Sequence, residues 1–388
     1  MTYASLKAYA FIMKNDPIHY QPFRRMKTEL VKAARVAMSG SLCAGKGERI
    51  LIITNPAFDT LGISEALYDA AVEAGSRPVL MVQPVKTQLD FAEPAVIAAL
   101  HQADIVISMS HFKMGKDREA IKKPYEMEGR RIDNTFHYLL AKKTVRSFWS
   151  PGATLDMFMR TVPVDYRRMK EEVAFVKEAI DASVEIRVTS PGGTDVRIGV
   201  KGRKAKSDDG DFSAPGSGGN LPAGETFVSP VVGTTEGIIV FDGSISTYAE
   251  DCIVHDPVRV TVQNGFVVSA EGGKEAELLM ESIRQGESNA EAFEREGKIP
   301  AGKGEEYKKN ARNIGELGIG LNPEARITGN MLEDEKAYRT CHFAIGSNYD
   351  EDAPALIHLD CVVKDPTIVL VSGGGKERIL LDRGRLER

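Results

Sequence analysis

Apolar residues follow two rhythms along this chain, and the change between them falls near residue 184. In the first half they come as short continuous runs. Residues 49–54 (RILIIT) stop at Asn55-Pro56, residues 78–82 (PVLMV) follow, and residues 104–109 (DIVISM) form a third run. Helical stretches separate them. Asp59 or Thr60 is placed to cap a helix that runs to about Ala74, Gly75 ends it, and another helix starts at Pro94 and finishes near His101. Continuous apolar strands alternating with helices predict a parallel sheet covered on both faces. Residues 1–38 read as mostly helical. Residues 165–182 predict a helix with Met169, Val173, Val176 and Ile180 on one stripe.

Beyond that point apolar and polar residues alternate. Val184, Ile186 and Val188 lead to a turn at Pro191-Gly192-Gly193, and Val196, Ile198 and Val200 follow. Val258, Val260 and Val262 run into Asn264-Gly265, a hairpin signal, and then Phe266 and Val268. One helix is expected around 275–287, and residues 207–220 (SDDGDFSAPGSGGN) have the composition of a mobile loop. The predicted fold class is α/β: an N-terminal open α/β domain with a parallel sheet (residues 1–183) and a C-terminal β-rich α+β metal-binding domain (residues 184–388).

Length and composition agree with two soluble domains, at 388 residues, 42% apolar and 27% charged. A net charge of −5 carries no basic footprint for nucleic acid. No apolar run reaches the ~20 residues of a membrane helix. The first twenty residues include Lys7, Lys14 and Asp16, which argues against a secretory signal. Cys43, Cys252, Cys341 and Cys361 form no CxxC pair, so a structural zinc site is not expected and a cytoplasmic location is. Residues 40–46 match the spacing of a phosphate-binding loop, but Gly47 stands where a hydroxyl is required and the segment precedes its strand. Residues 372–376 (SGGGK) read as a hairpin turn.

Candidate chemistry concentrates in the last quarter. Glu316, the Asp334-Glu335-Lys336 run, His342 and the His358-x-Asp360 pair fall close together in sequence, and imidazoles with carboxylates are what divalent transition metals take as ligands. On a strand, His358 and Asp360 point to one face. Their neighbours Leu356, Ile357, Cys361 and Val362 are apolar, and a buried charge needs a partner. Earlier in the chain, Glu225 stands between a Gly/Pro-rich loop and an apolar stretch.

In order along the chain, LPAGETFVSP, GELGIG, CHFAIGSNY and His-x-Asp resemble the motifs of the aminopeptidase T family, the M29 metallopeptidases. That resemblance implies a two-metal site (Zn, Co or Mn) held by Glu225, Glu316, Glu335, His342, His358 and Asp360, with Glu316 bridging. It implies that Glu225 or Glu335 shuttles a proton and that Tyr349 is an active-site tyrosine. It further implies a peptide or small-molecule substrate and a homodimer. Glu335 stands seven residues before His342, about two farther than the family pattern. The function expected is a metal-dependent aminopeptidase. The rival is a single-Fe(II) ring-cleaving enzyme similar to the 2,5-dihydroxypyridine 5,6-dioxygenases, with His342, His358 and Asp360 as its ligands.

Overall fold

The structure, a computed structural model, describes residues 21–87 and 90–388, with side chains of the first helix from Thr28 onward. The expectations for residues 1–20, helix and no secretory signal, lie outside the described residues. Two compact units emerge. One is Met1–Ser147 with Ala153–Pro163 and Ser213–Gly216, and the other is Phe148–Gly152, Val164–Phe212 and Ser217–Arg388. Among the described residues no helix is long and apolar enough to cross a membrane.

In the first unit the Arg49–Thr54 strand lies between two parallel neighbours, Arg77–Val82 on one side and Ile105–Met109 on the other. The two inner strands are buried on both faces, which explains their unbroken apolar sequence. Arg77–Val82 is an edge, leaving Val79 and Val82 exposed and tolerating Pro78. Helices Gln21–Val36, Phe58–Glu73 and Pro94–Leu100 match the predicted pattern, although the second is capped by no side chain and Asp59 instead accepts from Leu155 N.

The second unit contains a seven-stranded and an eight-stranded sheet, antiparallel at every pairing described. The eight-stranded sheet shows the expected alternation, as in Val258–Gln263. Its Asn264-Gly265 turn has φ of 49° and 83°, the double left-handed conformation that this dipeptide favours. Ser372–Gly375 also turns a hairpin, as expected.

Three details differ from the sequence reading. The second unit takes in Phe148–Gly152 and Val164 onward, ahead of the position near 183 where the alternating pattern starts. Helix Tyr166–Asp181 belongs with the second unit, where it buries Met169, Val173 and Val176, and Thr226 donates its hydroxyl to the Val173 carbonyl. The later helix extends over Lys274–Arg295, since its apolar face continues to Ala290. Residues 207–220 are not loop throughout: Lys206–Asp208 and Gly218–Asn220 are strands, and 209–217 between them are turns and irregular backbone. Lys206–Asp208 is an edge strand that pairs Asp208 with Glu225, and the glycines serve close packing: a Cβ on Gly219 would lie 2.8 Å from the Phe212 ring.

Candidate metal centre

Five of the six residues expected as ligands sit on four neighbouring strands of the seven-stranded sheet. The strands are Glu225–Val228, Ile314–Gly320, Thr340–Gly346 and His358–Lys364. Cross-strand register places Glu225 opposite Gly320, Gly318 opposite His342, Glu316 opposite Ala344, Ala344 opposite Asp360, and Gly346 opposite His358. Residues two apart on a strand share a face. Glu225, Glu316, His342, His358 and Asp360 therefore emerge together, and the positions between them are glycine or alanine.

Those small residues make the cluster possible. A Cβ on Gly318 would fall 2.1 Å from the His342 ring, so only glycine there lets the imidazole lie across its partner strand. Nothing in the sequence marked Gly318 as part of the site, although its two-residue spacing from Glu316 and from Gly320 was a usable signal.

Glu335 arrives from a different element. It caps the C-terminal end of the short helix Met331–Asp334, and its carboxylate reaches the cluster despite the longer spacing to His342. The turn that leads from Glu335 into the Thr340–Gly346 strand includes Arg339, which takes a positive φ of 70°. Ala337, the position that the family spacing would make a ligand, is buried.

The side chains form three overlapping groups whose ligand atoms lie within 4.8 Å of one another: Glu225, Glu316 and His342; Glu316, His358 and Asp360; Glu335, His342 and Asp360. Glu316 holds a central place. Its Oε1 is 3.2 Å from His342 Nε2, and its Oε2 is 3.4 Å from His358 Nε2. His358 is oriented from behind, because its Nδ1–H donates to the Ser347 carbonyl at 2.9 Å and leaves Nε2 facing Glu316 and Asp360. Backing of this kind is usual for a metal-binding imidazole.

The donor set suits a divalent ion on a direct test. Glu225 Oε2, Glu316 Oε2, His342 Nδ1 and Asp360 Oδ1 are buried without a hydrogen-bond partner. Folded proteins rarely leave such atoms unpaired, and a cation between the carboxylates would supply what they lack.

Charge is dense here. Burial alone would lower His342, but the hydrogen bond it donates to Glu316 and the charges of Glu225 and Glu316 raise it to about 9. His358 is raised well above its ordinary value against burial, chiefly by Asp360. Asp360 in turn is held at about 2 by the His358 charge, which outweighs its burial. Burial lifts Glu335 to about 8 even with Lys336 beside it.

Lys336 and Asp208 were not singled out from the sequence. Lys336 is 1% exposed, and its Nζ stands 2.6 Å from Glu225 Oε1, 2.6 Å from Glu335 Oε1 and 3.5 Å from Asp208 Oδ2. The available signal was a lysine directly after Glu335 in a run beginning with the apolar Met331-Leu332.

Tyr349 lies at the margin, with its ring 5.3 Å from that of His358 and 5.0 Å from that of Phe227. It is 51% exposed, so it borders both solvent and the cluster. Desolvation of the hydroxyl, then the charges of Glu316 and Asp360, keep its proton on.

The family described as NicX, 2,5-dihydroxypyridine 5,6-dioxygenase, matches residues 151–370, and the chain belongs to that family. The 2,5-dihydroxypyridine dioxygenase of Pseudomonas putida KT2440 shares the fold, with a TM-score of 0.69 and 17% identity over 93% of this chain and 97% of that one. Wild-type AmpT from Thermus thermophilus, an M29 aminopeptidase, shares it at a TM-score of 0.61 and 17% identity, over 93% of this chain and all of that one. No curated protein matches by sequence. The resemblance read from the motifs thus holds for the fold, and both enzyme classes named there are represented among its relatives.

Proposed function

We propose that this chain is a metal-dependent aminopeptidase whose two divalent ions, Zn, Co or Mn, share Glu316. The observation that carries the reading is the placing of the Glu316 oxygens, one toward His342 and one toward His358, as a bridging carboxylate requires. Glu225 and His342 complete one side, His358 and Asp360 the other, and Glu335 reaches between His342 and Asp360. Held by these residues, two divalent ions would supply Lewis-acid polarisation of a peptide carbonyl and a more acidic water.

The chain's own groups supply the remaining steps. Glu335, held by Lys336 Nζ at 2.6 Å and facing His342 and Asp360, is placed to accept the proton of the attacking water in its ionised form and pass it to the departing amine. Ser347 fixes the orientation of His358 through its carbonyl. Tyr349, with its hydroxyl kept protonated, is positioned at the solvent margin to donate a hydrogen bond to the oxyanion that develops on the substrate carbonyl.

A second reading has its own support, the family match over residues 151–370. It makes the chain a single-Fe(II) ring-cleaving dioxygenase. Such a site wants two histidines and one carboxylate. Each compact ligand group among the described residues contains one histidine and two carboxylates, which favours the peptidase.

The test is direct. The purified protein, loaded with Zn, Co or Mn, is assayed with leucyl-p-nitroanilide, and in parallel, loaded with Fe(II), with 2,5-dihydroxypyridine in an oxygen electrode. Amine release at about two ions per chain supports the first reading. Oxygen uptake with one iron per chain, and no amine release, replaces it with the second.

A further inference from the structure

Lys336 is the least expected member of the cluster. Its ammonium is enclosed, 1% exposed, and in contact with three carboxylates from three segments: Asp208, Glu225 and Glu335. A lysine buried this deeply is normally held by ion pairing, and here the pairs are residues assigned above to the metals. Lys336 engages Oε1 of Glu225, whereas the other oxygen, Oε2, points to His342 at 3.6 Å and is unpartnered. On the opposite side of the centre, Glu316 and Asp360 form no described ion pair with a lysine or arginine side chain, and Lys336 acts on Asp360 only at longer range.

We propose that Lys336 acts as a resident cation that makes the two metal positions unequal. The position built on Glu316, His358 and Asp360 has no ammonium in direct contact with its carboxylates and fills tightly. The position that relies on Glu225 and Glu335 shares both with a fixed ammonium a few ångströms away, which offsets their charge and repels a divalent ion. The second ion is held loosely and exchanges with the medium, and the protein responds to the free metal concentration through that position alone. Lys336 is then a positioning residue for metal loading. The inference deepens the two-metal reading and rests on it.

The experiment is a metal titration of the whole chain, with Zn(II) or Mn(II) buffered by a competing chelator and bound ions counted by native mass spectrometry. Wild type is compared with Lys336→Met, which keeps the length of the side chain and removes its charge. Wild type should bind one ion tightly and a second at least about 100-fold more weakly, and Lys336→Met should tighten the second at least about 10-fold while leaving the first within about 3-fold. Circular dichroism and thermal unfolding check that the variant folds.

Two equally tight ions in wild type overturn the proposal without any variant and leave the two-metal reading standing. An unequal pair that Lys336→Met leaves unchanged overturns it too. If wild type holds a single ion at saturation and Lys336→Met gains a second, Lys336 has the role proposed and the two-metal reading fails for the native chain. A single ion in both proteins removes both. Should Lys336→Met not fold, the double variant Lys336→Met with Asp208→Asn, which removes one unpaired carboxylate, carries the same comparison.

Discussion

Buried polar side chains occur in both units, and they end differently. At the strand ends of the first unit every polar group named here is answered. Thr54 donates to the Met109 carbonyl, Asn55 donates to the Gln83 and Pro84 carbonyls and accepts from His111 N, and Gln83 donates to the Met114 carbonyl and accepts from Glu93 N. Asp117 takes backbone donors from Glu119, Ala120 and Thr135. In the second unit the Glu225, Glu316, His342 and Asp360 atoms stay unpaired at the centre of a sheet. Burial of polar groups is therefore no guide to function by itself. A buried polar cluster that the protein does not satisfy internally marks a site that something else must satisfy.

The largest effect that would break this contrast is at Glu316. Replacing it by alanine should abolish binding of at least one metal ion per chain and lower kcat for leucyl-p-nitroanilide by about 10³-fold or more, roughly 4 kcal/mol in barrier. Elemental analysis and steady-state kinetics read the two effects. Full metal content and activity in that variant would end the two-metal account.

The matching change in the first unit is Asn55→Ala. It strands two carbonyls and one N–H in a buried position and should cost about 2–3 kcal/mol of stability in denaturant unfolding. Metal content should stay at the wild-type value, so a loss of metal here would erase the distinction between the two polar clusters.

Gly318→Ala probes the room around His342. The added methyl meets the ring at 2.1 Å and forces it to move, so metal affinity should fall about 10-fold or more, with roughly 1–3 kcal/mol of destabilisation. Unchanged affinity in a chelator competition would mean that His342 is not a ligand.

pH separates the regions as well. His342 has a raised value of about 9, so below that pH it carries a proton that a metal must displace. Apparent affinity should therefore rise with pH, by about 10-fold per unit for each proton released, from pH 6 to 8. Isothermal titration in buffers of different ionisation enthalpy measures the release. Asp117 has the opposite sign: its carboxyl is depressed, so its contribution to stability is full above the ordinary carboxylate range and disappears as the solution is acidified through its folded value.

The smallest effect should come from Gly62→Ala, in helix Phe58–Glu73, where the new Cβ lies 3.6 Å from Leu155. There the methyl fits, and removing a helical glycine should add about 0.5–1 kcal/mol, seen as a higher Tm with metal affinity unaltered. The same substitution at Gly318 and at Gly62 thus contrasts a close approach with an ordinary helix position.

Much of the fold was legible in the chain. The runs at 49–54 and 104–109 are apolar because a central parallel strand is buried on both faces, and Val258, Val260 and Val262 alternate because one face of their sheet is not. Those signals are local, within one strand or helix. So was the order of the ligand motifs, and His358-x-Asp360 share a face because a strand repeats every two residues.

Cross-strand register and long-range pairing lie beyond that reach. The sequence could propose Glu225, Glu316, Glu335, His342, His358 and Asp360 as a set, but only the folded sheet puts Gly318 beneath the His342 ring and turns the two oxygens of Glu316 toward different histidines. Only the fold, likewise, brings Lys336 to carboxylates more than 100 positions away, and it pairs Ser207 and Asp208, at the start of the segment that looked like a loose loop, with the Glu225–Val228 strand. The physical reason is the same throughout. Local pattern depends on a residue's immediate neighbours, whereas the charge balance of a buried cluster depends on which distant strands meet, and that is set by the packing of the whole unit.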